Sequence, residues 1–231
     1  MTKNTHSDLK SDLLVAILPH VAFDGWTEAA FCAACDDSGI DQKLARLTCN
    51  QGALDLAGWF HVMGDQKMIS ALKERDMSDM RFRDKIALAV RLRLDSVEDK
   101  EAVRRGATLF ALPHNARLGA GLIWGTADAI WTALGDTSLD VNWYTKRASL
   151  STVYSTTILY WLGDESPENA ATWAFLDRRI ENVMQFEKIK SQLRANKGLQ
   201  NLMRGPNWVL SKIKAPTSNS LNDMPGFWGQ S

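Results

Sequence analysis

Two simple sources of attraction and cross-linking are missing from this chain. Formal charge cancels, with 27 Lys and Arg against 27 Asp and Glu in 231 residues, so the molecule as a whole has no general pull on nucleic acid. Cysteine is down to three residues, Cys32, Cys35 and Cys49, an odd number and too few for a disulfide framework. Reduced thiols in a cytosolic setting are the natural reading. Met1 to Asp12 is polar and holds no apolar signal core, and no run approaches the ~18 apolar residues of a membrane span. Neither a cleaved leader nor a spanning helix is expected. Period-two alternation is also absent over any stretch long enough for a strand.

What the chain has instead is apolar spacing of three and four almost throughout, which predicts an all-α fold. Helices are expected over Asp8 to Pro19, Thr27 to Ser38 and Asp41 to Leu47, then Gly52 to Arg75, Ser78 to Ser96 and Asp99 to Leu112. Three more follow: one past Pro113 to Leu134, one from Val141 to Leu162 with Asp140 as its cap, and one from Ser166-Pro167-Glu168 to Ile189. The chain divides at 1–50, 51–189, 190–215 and 216–231. The last piece is rich in Ser, Asn, Pro and Gly and is expected to be disordered.

The first piece reads as a helix-turn-helix, with Ala30, Ala34, Ile40, Leu44 and Leu47 where such a unit buries its seam. A DNA reader needs cations on the third helix, and Lys43 and Arg46 are set against Asp36, Asp37 and Asp41. The architecture is expected and the DNA role is not. Cys32 and Cys35 have the spacing of a metal pair without a second pair, so small core residues are the better account. None of His6, His20, His61 and His114 lies three residues after a Glu, which removes the di-iron bundle pattern. Gly119-Ala-Gly121 has no strand before it and so is no dinucleotide loop; it permits close helix approach or leaves space for a ligand. No acid–base pair assembles, and catalysis is not expected.

The surplus is in tryptophan: nine, against three Tyr. Trp143, Arg147, Leu150, Tyr154, Ile158 and Trp161 form one helical stripe, with Trp124, Ile130 and Trp131 on the helix before and Trp173 and Leu176 on the one after. Packing explains most such stripes. Each buried large side chain already contributes about 1.5–3 kcal/mol, so a domain of this size hardly needs so many for stability alone. Trp143 and Tyr144 are adjacent, about 100° apart on a helix, so at least one is expected to face solvent, a ligand or a partner. A second lead is the stretch from Lys188 to Lys214, which holds seven Lys and Arg and no acid. Leu199, Leu202 and Met203 before Pro206, with Trp208, Val209 and Ile213 after it, give this stretch an apolar side suited to an anionic membrane surface.

Six blocks carry a resemblance: Pro19-His20-Val21-Ala22-Phe23-Asp24-Gly25-Trp26, Leu112-Pro113-His114-Asn115, Thr126-Ala127-Asp128-Ala129-Ile130-Trp131, Gly135-Asp136-Thr137-Ser138, Asn142-Trp143-Tyr144-Thr145-Lys146-Arg147 and Thr172-Trp173-Ala174-Phe175-Leu176-Asp177-Arg178-Arg179. In these the chain, over about Leu13 to Ile189, resembles the ubiquinone-biosynthesis accessory proteins of the Coq-nine type. The resemblance implies a TetR-repressor-like fold with a helix-turn-helix remnant, without the DNA role, in a homodimer whose 51–189 part binds lipid and dimerises. It implies no cofactor, a bound isoprenoid or phospholipid, and presentation of a polyprenylated quinone intermediate to a di-iron ring hydroxylase. Trp124, Trp131, Tyr154, Trp161 and Trp173 are then the expected lipid contacts. Ile130, Asp140, Trp143 and Tyr144 match the family's hydroxylase patch, with Arg147 beside it. Lacking a transit peptide, the chain is expected to be a bacterial version, cytoplasmic and peripheral to the inner membrane. The rival expectation is a TetR-type ligand-responsive transcription regulator.

Overall fold

The computed structural model describes residues 2–195, with side chains from 7 to 185. The residues Leu199, Leu202, Met203, Trp208, Val209 and Ile213 and the tail at 216–231 lie outside the described residues. Among the described residues every regular element is a helix: α1 (Thr2–Asp24), α2 (Glu28–Ser38), α3 (Gln42–Thr48), α4 (Ala53–Lys73), α5 (Phe82–Asp95), α6 (Lys100–Ala111), α7 (Ala116–Ala133), α8 (Val141–Leu162) and α9 (Ala170–Ala195). The all-α expectation holds.

Local chemistry accounts for most boundaries. Thr27 caps α2 by accepting from the Ala30 N–H, and Asp41 caps α3 by accepting from Lys43 and Leu44. Asp140 does the same for α8 through the Asn142 N–H at 2.9 Å. Three boundaries differ from the sequence reading. α1 does not stop at Pro19 but runs on to Asp24. Pro19 is exposed, as is Val15, whose carbonyl loses its partner to the missing N–H, while Leu13, Ile17 and Val21 stay fully buried on the other side. α5 begins at Phe82, because Asp76 accepts the Ser78 N–H and turns the chain first. α9 begins at Ala170, after a 3-10 turn over Pro167–Asn169. Asp164 accepts from both the N–H and the hydroxyl of Thr172, which fixes the first turn of α9 there.

Two apolar cores meet end to end. The first joins α1, α2, α3 and the start of α4 through Leu13, Ile17, Val21, Phe31, Ala45 and Leu56. The second joins α4, α5, α7, α8 and α9 through Met68, Val90, Ile130, Tyr154, Trp161 and Leu176. α4 passes through both, and α6 lies across the joint, held by a Trp26 indole N–H donating 3.0 Å to the Ala102 carbonyl. The helix-turn-helix seam is only partly as expected. Ala30 and Ala34 are buried, but Leu44 and Leu47 are 46% and 79% exposed. Helix α3 is so short that Ala45, with Cys49 behind it, suffices to seat it, and both leucines turn outward. Cys35 and Cys49 are buried and Cys32 half-buried, all as free thiols.

Candidate functional site

Small residues on α6 and α7 hold open a cavity of about 360 Å³ where the two cores join. Its wall takes Ala102, Gly106, Ala107 and Phe110 from α6, Gly119, Leu122 and Ile123 from α7, and Ala57, Phe60 and His61 from α4. Arg93 and Leu94 of α5, Val97 just after it, Tyr154, Ser155, Ile158 and Leu159 of α8, and Trp26 also line it, as do Val103 and Ala111 of α6. Helices α6 and α7 can approach at one end because Gly119 has no side chain: a Cβ there would meet the Phe110 Cβ at 2.7 Å. Two of the lining residues are exposed, Ala111 of α6 and, at 65%, Leu159 of α8. Lys100 and Arg104 of α6 donate to the carbonyls of Asp164 and Leu162, tying the N-terminal end of α6 to the end of α8.

The buried end is polar. Arg93 donates through Nε to Asp65 at 2.6 Å and through Nη2 to the His61 carbonyl at 2.9 Å. Gly64 makes room for this, since a Cβ there would lie 2.5 Å from the guanidinium carbon. The Thr126 hydroxyl sits 2.9 and 3.0 Å from the two Asp65 oxygens, and His61 Nε2 is 2.8 Å from the same hydroxyl. The one Thr126 proton goes to the carboxylate, so His61 donates from Nε2. Burial pushes the His61 imidazole down to about 4, against a smaller pull from Asp65, so it is neutral at pH 7. Burial likewise pushes the Tyr154 phenol, beside Thr126, up to about 12.

Of the five expected lipid contacts, Tyr154 lines this cavity, and Trp124, Trp131, Trp161 and Trp173 are not among its lining residues. Trp131 and Trp161 are buried beneath Lys146 and Lys100 at 5.0 and 4.8 Å, and Trp173 lies under Arg91 at 5.3 Å with its N–H on the Glu168 carbonyl. Trp124 packs on Trp143 with ring centroids 5.9 Å apart. Trp131 and Trp161 thus face inward, while Trp124 and Trp173 are half-buried.

The expected partner patch gathers at the α7–α8 turn, but little of it is surface. Ile130 is fully buried and Trp143 and Arg147 are 8% and 2% exposed. Asp140 is exposed and Tyr144 half-buried, next to Leu139 at 78% exposure. Beneath them Arg147 stacks 4.0 Å over the Trp143 ring and pairs with Asp128 at 2.5 Å and Asp136 at 3.0 Å. Tyr144 meets Trp143 edge-on at 4.8 Å. Asp136 also accepts from Lys146 at 2.7 Å and the Ser138 hydroxyl at 2.8 Å. Burial alone would raise the Asp136 carboxyl; these donors carry it down to about 2.

Known proteins place the chain. The sequence profile of the COQ9 family matches residues 116–187, which span α7 and α8 and run into α9. The chain is 30% identical over 189 residues to the mitochondrial ubiquinone biosynthesis protein COQ9 of Drosophila melanogaster, covering 80% of this chain and 58% of that one. To the probable coq9 protein of Dictyostelium discoideum it is 28% identical, covering 90% and 68%. The chain belongs to the COQ9 family. It spans 62% of the length of the human COQ9 protein, to which it is 27% identical over 83% of its own length. In fold, it superposes on the crystal structure of a TetR transcriptional regulator from Nitrosomonas europaea with a TM-score of 0.62 and 15% identity, over 75% of this chain and 97% of that one. The COQ9-family chain therefore has a TetR-like fold, as its blocks imply.

Sequence reasoning missed most of the cavity wall. Trp26, Phe60, His61 and Arg93 come from three separate segments, the α1–α2 turn, α4 and α5, and have no shared spacing. The available signal was the run Ala102, Gly106, Ala107 and Ala111, small residues on one amphipathic helix where large ones would fill a core.

Proposed function

We propose that this chain is a non-catalytic, lipid-binding accessory protein of ubiquinone biosynthesis that holds a polyprenylated quinone intermediate and presents it to a ring hydroxylase. The curated relatives are named for ubiquinone biosynthesis. The observation that carries the reading is the apolar-lined cavity of about 360 Å³ among α4, α5, α6, α7 and α8. That volume falls in the range of about 300–1,000 Å³ typical of small-molecule sites. A polyprenylated ring is too insoluble to diffuse freely, and an apolar wall lowers the cost of lifting it out of a bilayer. Leu139, Asp140 and Tyr144 offer a mixed apolar and acidic surface for the hydroxylase, on a turn stiffened by the Arg147 ion pairs. A homodimer, no cofactor, and a 190–215 segment resting on the anionic inner membrane from the cytoplasmic side complete the proposal. Among the described residues no helix is long and apolar enough to cross a membrane.

A ligand-responsive regulator is the second reading, favoured by the TetR neighbour. Against it, α3 turns Leu44 and Leu47 outward, and its Arg46 is engaged by Glu28. The deciding experiment is solvent extraction and mass spectrometry of the protein purified from its own host. Isoprenoid quinone species near one per cavity are expected, whereas an empty extract would overturn the lipid role. A salt-dependent gel shift on genomic fragments would favour the regulator instead.

A further inference from the structure

We propose that α6 is a hinged lid over the hollow, latched to the end of α8 by Lys100 and Arg104. This rests on the reading of the cavity as a lipid site. Lys100, Arg104, Ala107 and Ala111 recur at steps of four, three and four and so share one edge of α6. Ala102 and Leu109 each stand two residues on from a member of that edge, about 200° around the axis, on the opposite edge. The two edges are held differently. Ala102 is fully buried in the first core, its carbonyl accepts the Trp26 N–H at 3.0 Å, and Leu109 packs against the same core. On the other edge Lys100 donates to the Asp164 carbonyl at 3.1 Å and Arg104 to the Leu162 carbonyl at 2.9 Å. Ala107 and Ala111, further along that edge, line the cavity. The exposed lining residues, Ala111 and Leu159, belong to this edge and to α8.

Whether such an edge can lift depends on what its release leaves behind. Leu162 ends α8, where a helix carbonyl has no partner further along the helix, and water can take the place of a cation there. The Arg104 side chain is 51% exposed and keeps Glu101 at 3.0 Å after letting go. Lys100 is half-buried and gives up its place 4.8 Å over the Trp161 ring. Cations and carbonyls pass to water together, so the penalty is that of surface pairs. Arg93 and Arg147, at 4% and 2% exposed, are the contrast: freeing either would leave a buried charge uncompensated. Packing resists little along the latched edge, since Ala107 and Ala111 have no large side chain to interlock. The α8 side stays put. The Asp164 carboxylate accepts from the Ser166 and Thr172 N–H groups, which ties the carbonyl that Lys100 grips to the start of α9.

The test compares the full chain with a Lys100→Met, Arg104→Met double variant, which keeps both stems and removes both donors. Amide hydrogen exchange with no lipid added should run about tenfold faster in α6 of the variant. Exchange in α7 should be unchanged, and it reports any general loosening. Stopped-flow uptake and release of a dansyl-tagged farnesyl chain should both quicken, by about tenfold, and leave Kd within about twofold, because the latch closes the empty and the filled protein alike. Arg104→Lys, which keeps a cation for the carbonyl, should stay near the wild-type rates. Unaltered exchange in α6, or equal acceleration in α7, overturns the proposal. So does a variant whose affinity falls with its uptake rate unchanged, the mark of an ordinary wall residue. Should the double variant not fold, Arg104→Met decides by the same readouts, at about threefold. A wild-type protein that takes up no probe overturns the lipid reading underneath, and exchange in α6 then decides the latch by itself.

Discussion

Asp136 is held by three donors at once, so removing its charge tests whether the α7–α8 turn is built on that carboxylate. Its side chain is 2% exposed, with Lys146 at 2.7 Å and Arg147 at 3.0 Å. The carboxyl sits at about 2, below its ordinary 3.8. At about 1.4 kcal/mol per pH unit, that difference is about 2 kcal/mol of stability. Because the folded value is the lower one, the contribution is complete above about pH 4 and is lost as pH falls toward 2, with about half gone by pH 3. Asp136→Asn keeps the shape, removes the charge, and leaves the buried Arg147 with Asp128 alone. The cost should be about 2–3 kcal/mol, short of the ~3–5 expected when a buried ion loses its whole partner set. For a domain of this size that is a fall of about 5–10 °C in Tm. Urea unfolding at pH 7, 5, 4 and 3 reads both effects: the gap between wild type and variant should be full at pH 7 and about halved at pH 3. A cost below about 1 kcal/mol at pH 7, or a gap that ignores pH, refutes the reasoning.

Other outcomes follow from the same geometry. Ala107→Phe puts a ring into the hollow and should cut co-purified lipid at least about tenfold while changing stability by less than about 1.5 kcal/mol; an undiminished lipid load means the guest sits elsewhere. Tyr144→Ala should weaken capture of the hydroxylase with little loss of stability, whereas Trp143→Ala, being buried, should cost about 3–5 kcal/mol. Equal melting curves for those two variants would contradict the burial described. His61 sits at about 4 when folded against 6.5 ordinarily, so its contribution is complete above about pH 6.5 and is lost as pH falls toward 4. His61→Gln, which keeps a donor for Thr126, should flatten the stability profile in that window. Deleting 190–214 should abolish binding to anionic liposomes, and unchanged binding would remove the segment's membrane role.

Fold class and helix order were legible because they rest on near-neighbour chemistry. Thr27, Asp41 and Asp140 are caps by residue type and position, and the three-and-four spacing of α8 depends on no other part of the chain. The errors fall where distant residues decide. Pro19 looks like a stop until Val21 is seen to be fully buried on the continuing helix. The start of α9 was misplaced because Thr172, not Pro167, is held by Asp164. The cavity was the hardest to see, since a stripe of large rings predicts an inward face without saying whether it meets a helix or a void. Trp131 and Trp161 meet lysine stems and packed neighbours, and the void comes from what α6 lacks. A reading by aromatic content searches for a site at the places best filled.

The two polar clusters share one helix. Thr126 and Asp128 are two residues apart on α7, which puts them about 200° apart around its axis, on opposite sides. Thr126 joins Asp65 and, through it, Arg93 of α5; Asp128 joins Arg147 of α8. Ala127 between them is fully buried. Helix α7 is thus pinned from two directions by charged groups that cost several kcal/mol each to leave unpaired. Apolar packing alone tolerates small rotations, but a helix held by two arginines through short side chains does not rotate without breaking one set. The wall of the cavity and the platform under Tyr144 are therefore fixed relative to each other by the same eighteen-residue element. A guest in the hollow and a protein on the turn would meet a common rigid frame, and a substitution that loosens either arginine should disturb both.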